Sequence, residues 1–121
     1  MAISLTDLQK KKRLAAEYRA VMRIPINSMM AIKIMPNGKP PEETTTYFVT
    51  YNFETRINAN GQIRPQYKTV VRFELRQDVP AAAPTVTVVD GSPPWHPNWY
   101  TSGRMCVGNM WTTDPWLYKL M

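Results

Sequence analysis

The sequence holds one cysteine and one histidine in 121 residues, and these two scarcities remove several scaffolds at once. A single thiol cannot close an internal disulfide, and one thiol with one imidazole cannot furnish the ligand set of a zinc site. No metal and no cofactor are therefore expected. A lone thiol suits a reducing compartment, and the chain reads as cytoplasmic. Long apolar runs are also missing. None reaches the roughly 18 residues that a bilayer span requires. The opening Met-Ala-Ile-Ser-Leu-Thr-Asp has neither the basic start nor the apolar centre of a signal peptide. Acidic residues are scarce too: 9 Asp/Glu against 15 Lys/Arg leave a net charge of +6. That balance favours acidic partners, although most of the basic residues are scattered rather than clustered.

What is present is enough for one domain with a core, since 44% of the residues are hydrophobic. Residues 6–23 read as a helix. Thr6 and Gln9 make a capping box, and Leu8, Leu14, Ala15, Tyr18, Val21 and Met22 fall near one face. Lys10, Lys11, Lys12, Arg13, Arg19 and Arg23 give that helix a basic surface, readable as a solvated face or as a docking surface for an acidic partner. Pro25 ends it. Strands are predicted over 28–35, 45–57, 66–75 and 85–89 from alternating, β-branched and aromatic residues. Pro36-Asn37-Gly38 and Asn58-Ala59-Asn60-Gly61 carry turn chemistry between them. A helix followed by a four-stranded antiparallel meander is an α+β arrangement.

After Asp90-Gly91 regular structure is no longer expected. Pro93, Pro94 and Pro97 each lack a backbone donor, while Trp95, Trp99 and Trp111 bring large side chains that can pack the stretch. Irregular segments of this length inside a compact domain usually carry function. Asp114 and Pro115 then look like the start of a C-terminal helix, with Trp116, Leu117, Leu120 and Met121 on its apolar side. Within the irregular stretch, Cys106 has two readings. A lone cysteine is commonly a small buried apolar residue; one placed on a loop beside Arg104 is a candidate thiolate. A cysteine hydrolase is disfavoured, because His96 is the sole imidazole and no local protease signature surrounds the thiol.

The segment His96-Pro97-Asn98, with seven intervening residues before Cys106 and with Gly103 three positions ahead of it, resembles the active site of ubiquitin-conjugating enzymes. The run Val79-Pro80-Ala81-Ala82-Ala83-Pro84-Thr85-Val86 is similar to that family's proline-rich link, and Trp111 with Pro115 to the start of its next helix. The resemblance covers nearly the whole chain and implies a single UBC-like domain over residues 1–121. It implies that Cys106 takes the C-terminal carboxyl of a ubiquitin-like modifier as a thioester, received from an activating enzyme and passed to a target lysine. Asn98 is either the donor to the developing oxyanion or a loop-holding residue. His96, Pro97 and Gly103 support the active loop. Lys10, Lys11, Lys12 and Arg13 are the implied contacts for the activating enzyme.

Several positions depart from the family's pattern. Ala81 and Ala82 stand where ligase-binding members carry an aromatic and a polar or basic residue, which argues against docking of a RING-type ligase. Trp99 replaces a usual aliphatic, and Asp114 is the sole acidic residue after Cys106. The chain stops 15 residues beyond Cys106, so it reads as truncated or as a minimal variant. These departures look like bacterial relatives from anti-phage defence operons. Two competing classes remain: a catalytically idle UBC-like module that binds a ubiquitin-like protein, and a basic nucleic-acid-binding domain. Retention of Cys106 opposes the first. The second is disfavoured because the aromatics alternate within strands as core residues do.

Overall fold

A computed structural model describes residues 7–24, 31–76, 83–94, 103, 105 and 117–121. The expected helix is α1, Asp7–Val21. Leu14, Glu17 and Val21 are buried along one stripe of α1, with Tyr18 and Met22 packed at its edge. Leu8 leaves the expected apolar face: it lies in the first turn and is 63% exposed. Thr6, the proposed cap, lies outside the described residues.

Six strands follow: β1 (Ile32–Pro36), β2 (Thr46–Tyr51), β3 (Thr55–Ala59), β4 (Gln62–Gln66), β5 (Thr69–Glu74) and β6 (Thr85–Asp90). Four of them form one antiparallel sheet in the order β1-β2-β5-β6, and α1 packs on its inner face. That face shows the alternation expected of a half-buried sheet: Tyr47, Val49, Val71, Phe73 and Val86 are buried, while Phe48 and Glu74 between them are exposed. Each such side chain withdrawn from water contributes about 1.5–3 kcal/mol. The four-stranded meander on an N-terminal helix is thus the predicted architecture.

One expected strand comes apart. The run 45–57 breaks over Asn52, Phe53 and Glu54, just where the Asn52 N–H donates to the Ala31 carbonyl at 2.7 Å and continues the β1–β2 register by one last pair. The chain beyond the break forms a separate two-stranded hairpin, β3 with β4, inserted between β2 and β5. Strand β4 lies ahead of the expected strand over 66–75, and Pro65 sits inside it. Both strands of an isolated hairpin are edges, where a missing donor is tolerated, and Pro65 there faces Arg56. The hairpin connection itself is as expected. Asn60 and Gly61 hold φ of 52° and 84°, the left-handed pair that a two-residue turn between twisted strands requires. The Gly61 N–H also donates to Asn58 Oδ1 at 3.0 Å.

The chain's last described element is a 3₁₀ turn, Leu117–Lys119, rather than an α-helical segment. Leu117 is fully buried and joins the core. Asp114, Pro115 and Trp116 lie outside the described residues. No helix among the described residues is long and apolar enough to cross a membrane.

Candidate active site

Cys106, Asn98, His96 and Pro97 lie outside the described residues, and so does Arg104. What is described is the chain on either side of residues 95–102, as far as Met105, which directly precedes Cys106. The entrance is Gly91-Ser92-Pro93-Pro94, directly after β6. Here the Gln66 side chain works as a bracket. Its Nε2 donates to the Ser92 carbonyl at 2.9 Å and to Thr69 Oγ1 at 2.8 Å, and its Oε1 accepts the Ser92 N–H at 2.9 Å. Gly91 makes this approach possible. Its φ is +92°, and a Cβ built on it would meet Gln66 Nε2 at 2.8 Å. The bracket therefore needs glycine twice, for conformation and for space.

The exit is pinned to the same strand. The Gly103 carbonyl accepts the Val88 N–H at 2.8 Å, and the Met105 N–H donates to the Val86 carbonyl at 3.0 Å. These bonds lay Gly103 and Met105 antiparallel beside β6. Gly103 is buried with φ +90°. A Cβ there would meet only ordinary contacts with Val88 at 3.7 Å or more, so conformation rather than space calls for glycine. The 95–102 segment is thus held at its entrance by the Gln66 side chain at the end of β4, and at its exit by backbone bonds to β6. Of the sequence-predicted loop residues, Gly103 is described, and it sits at the exit.

Below the exit lies an open apolar pocket of about 210 Å³, lined among others by Tyr51, Phe53, Phe73, Pro94, Met105 and Leu120. Pro94 and Met105 come from the two ends of the loop, so entrance and exit share one wall. Tyr51 and Phe53 meet edge to face at 5.6 Å between ring centroids. The Tyr51 hydroxyl donates to the Met121 carbonyl at 3.1 Å, and burial pushes the phenol above its ordinary value of 10.0. It acts there as a neutral hydrogen-bond donor. No group of three or more His, Cys, Asp or Glu side chains that could hold a metal occurs among the described residues.

The four basic positions at the start of α1 do not share a face. Consecutive helical residues turn by about 100° each, which spreads four in a row around most of the helix. Lys11 and Lys12 are exposed, while Lys10 and Arg13 are half-buried. Arg13 is directed inward, its Nη2 3.6 Å from Glu17 Oε1. Glu17 is a residue that periodicity did not single out. Its wholly buried carboxylate also accepts the Leu117 N–H, at 3.1 Å from Oε2, and so ties α1 to the last turn of the chain. Burial raises its pKa above 4.5, and the Arg13 charge and the Leu117 N–H hold part of that rise back. Gln66 and Gly91 were missed as well. A glutamine before a Tyr-Lys-Thr run gives no sequence signal for a contact made 26 residues later.

The architecture has known counterparts. The chain superposes on a Plasmodium vivax ubiquitin conjugating enzyme E2 with a TM-score of 0.58 and 17% identity, covering 87% of this chain and 91% of that one. It superposes on human ubiquitin-conjugating enzyme E2 G1 with a TM-score of 0.51 and 13% identity, covering 79% of this chain and 71% of that one. No protein-family model matches the sequence, and no curated protein matches it. One N-terminal helix on a four-stranded antiparallel sheet, superposing on these two enzymes, is a UBC-like fold.

Proposed function

We propose that this protein carries a ubiquitin-like modifier as a thioester on Cys106 and passes it to a target amine. The observation that carries the reading is the exit of the loop: Gly103 and Met105 are bonded to β6, so the residue immediately ahead of Cys106 is held on the rigid sheet. A nucleophile delivered from a fixed strand satisfies the positional demand of acyl transfer. The fold likeness and the spacing of His96-Pro97-Asn98, Gly103 and Cys106 support the same reading.

In the first step the Cys106 thiolate attacks the carbonyl of the activating enzyme's thioester. A new C–S bond forms, the old one breaks, and the activating enzyme's thiolate leaves. In the second step a neutral lysine amine of the target attacks the same carbonyl. The C–N bond forms, Cys106 departs as thiolate, and the amine proton passes to solvent. Neither step consumes a cofactor. Asn98 donates its amide to the oxyanion that develops in each step, His96 bonds backbone, and Pro97 stiffens the turn between them. Lys10, Lys11, Lys12 and Arg13 contribute to docking the activating enzyme, with Arg13 also occupied by Glu17. On the departures at Ala81, Ala82 and Trp99, the proposal extends to a bacterial protein of anti-phage defence that works in the cytoplasm without a RING-type ligase.

The test is incubation with the activating enzyme and modifier encoded beside it, plus ATP, followed by a non-reducing gel. A thiol-sensitive adduct is expected, absent in Cys106→Ala and thiol-resistant in Cys106→Ser. No adduct with that pair would sink the enzyme reading. In Asn98→Ala, charging is expected to persist and discharge to slow by about 100-fold, the scale of losing one oxyanion donor.

A further inference from the structure

We propose, resting on the thioester reading, that Gln66 is a positioning residue for the discharge step: it sets where the chain enters the loop, and so where Asn98 stands relative to Cys106. Strand β6 ends at Asp90, opposite Val70, and its ladder with β5 stops there. Past that point no strand among the described residues pairs with Ser92. The Gln66 amide takes the strand's place. It accepts the Ser92 N–H and donates to the Ser92 carbonyl, both at 2.9 Å, as a neighbouring peptide group would. Its second N–H goes to Thr69 Oγ1 at 2.8 Å, and Thr69 is buried at the first position of β5. These partners fix the sense of the amide, since reversing it would set oxygen against the Ser92 carbonyl. One side chain thereby ties the entrance to the core sheet.

What happens at Ser92 is passed on. Pro93 and Pro94 have φ fixed by their rings. A residue ahead of proline is confined to extended backbone, which restricts Ser92 and Pro93 as well. Three successive residues are therefore stiff, and a displacement of Ser92 is carried to residue 95. The other end is mounted independently. Gly103 and Met105 are bonded to β6 by backbone groups that Gln66 does not touch. Loss of the Gln66 amide thus shifts the side of the loop from which Asn98 is reached and leaves the mounting ahead of Cys106 in place. An oxyanion donor counts only at the right distance from the reacting carbonyl. Gln66 acts through Asn98, so its loss should share the pattern expected for Asn98→Ala: charging kept, discharge slowed.

The test compares the extent of charging with single-turnover discharge of the charged full chain to free lysine. Gln66→Met keeps the length of the side chain and removes the amide. It is expected to charge as the wild type does and to discharge about tenfold more slowly, within the roughly 100-fold that a misplacement of about 1 Å can cost. Gly91→Ala attacks the bracket from the other side, with a Cβ 2.8 Å from Gln66 Nε2, and should give the same split; where one variant fails to fold, the other carries the test. Arg64→Met, an exposed change on the same strand, should leave both steps within about twofold. In an Asn98→Ala background, adding Gln66→Met should slow discharge by less than about twofold, because the group it positions has gone. A full tenfold loss in that background would overturn the proposal in favour of a general loosening of the fold. Undiminished discharge in folded Gln66→Met, or charging that falls with it, would also overturn it and leave the thioester reading standing. A wild-type protein that takes no modifier from the activating enzyme encoded beside it would sink the thioester reading and this proposal with it.

Discussion

Glu17 is a wholly buried carboxylate on a helix whose other polar residues mostly face water. Its bonds make it a cross-link between α1 and Leu117. Removing it leaves the Leu117 N–H without this acceptor, so Glu17→Ala is expected to cost about 1–3 kcal/mol in urea denaturation. Its pH dependence has a definite sign. Because burial raises the folded-state pKa above 4.5, the folded protein binds more proton than the unfolded chain in the interval above that value. This group's contribution to stability therefore falls as pH rises through that interval and is largest below it. Glu17→Gln keeps an acceptor for Leu117 and cannot ionise, so stability measured from pH 4 to 7 should lose that downward component. An unchanged slope would show that Glu17 is not the buried titrating group. Tyr47 predicts the opposite kind of outcome. Its hydroxyl is buried and has no hydrogen-bond partner among the described residues. Burial, the Glu17 charge and Tyr18 all push its pKa up, which keeps it neutral. Tyr47→Phe deletes an unsatisfied group at constant shape, and is expected to be neutral or to stabilise by about 1 kcal/mol in thermal unfolding.

Among elements, the β3–β4 hairpin and the bracketed loop behave differently. The hairpin has its own two-stranded ladder, and none of its residues belongs to the core. Thr55 and Gln66 pair directly across its base. Replacing residues 56–65 by Asn-Gly should join them through a two-residue turn, retain the Gln66 bracket and move Tm by less than about 4 °C, the shift of one kcal/mol in a domain this size. A collapse of Tm would mean that the hairpin supports the sheet. Its separateness also explains what the sequence concealed. Tyr47, Val49, Tyr51 and Phe53 alternate without interruption, and periodicity cannot show that pairing with β1 ends one step past Tyr51, at Asn52 opposite Ala31. Pro65 argues against a strand wherever both neighbours are paired, and only the isolation of β4 relaxes that rule. The turn at Asn60-Gly61 was legible because its residue types answer a purely local demand.

For the molecule as a whole, the α+β class, the helix and the four core strands were readable because burial imposes a period on the sequence. The loop's fastenings were not. Gln66 and Ser92, Glu17 and Leu117, and Met105 and Val86 are pairs brought together by topology, and no spacing encodes them. The fastenings nevertheless define the account: the Gln66 side chain holds Ser92 at one end of the stretch around Asn98, and β6 holds Gly103 and Met105 at the other, ahead of Cys106. The most direct measurement is intact-mass spectrometry after charging with the modifier and activating enzyme encoded beside this protein. The account predicts one adduct whose added mass is the modifier less one water, on Cys106 in peptide mapping, released by hydroxylamine at neutral pH and absent from Cys106→Ala. An adduct that persists in Cys106→Ala, or no adduct on the folded wild-type protein with that pair, would contradict it.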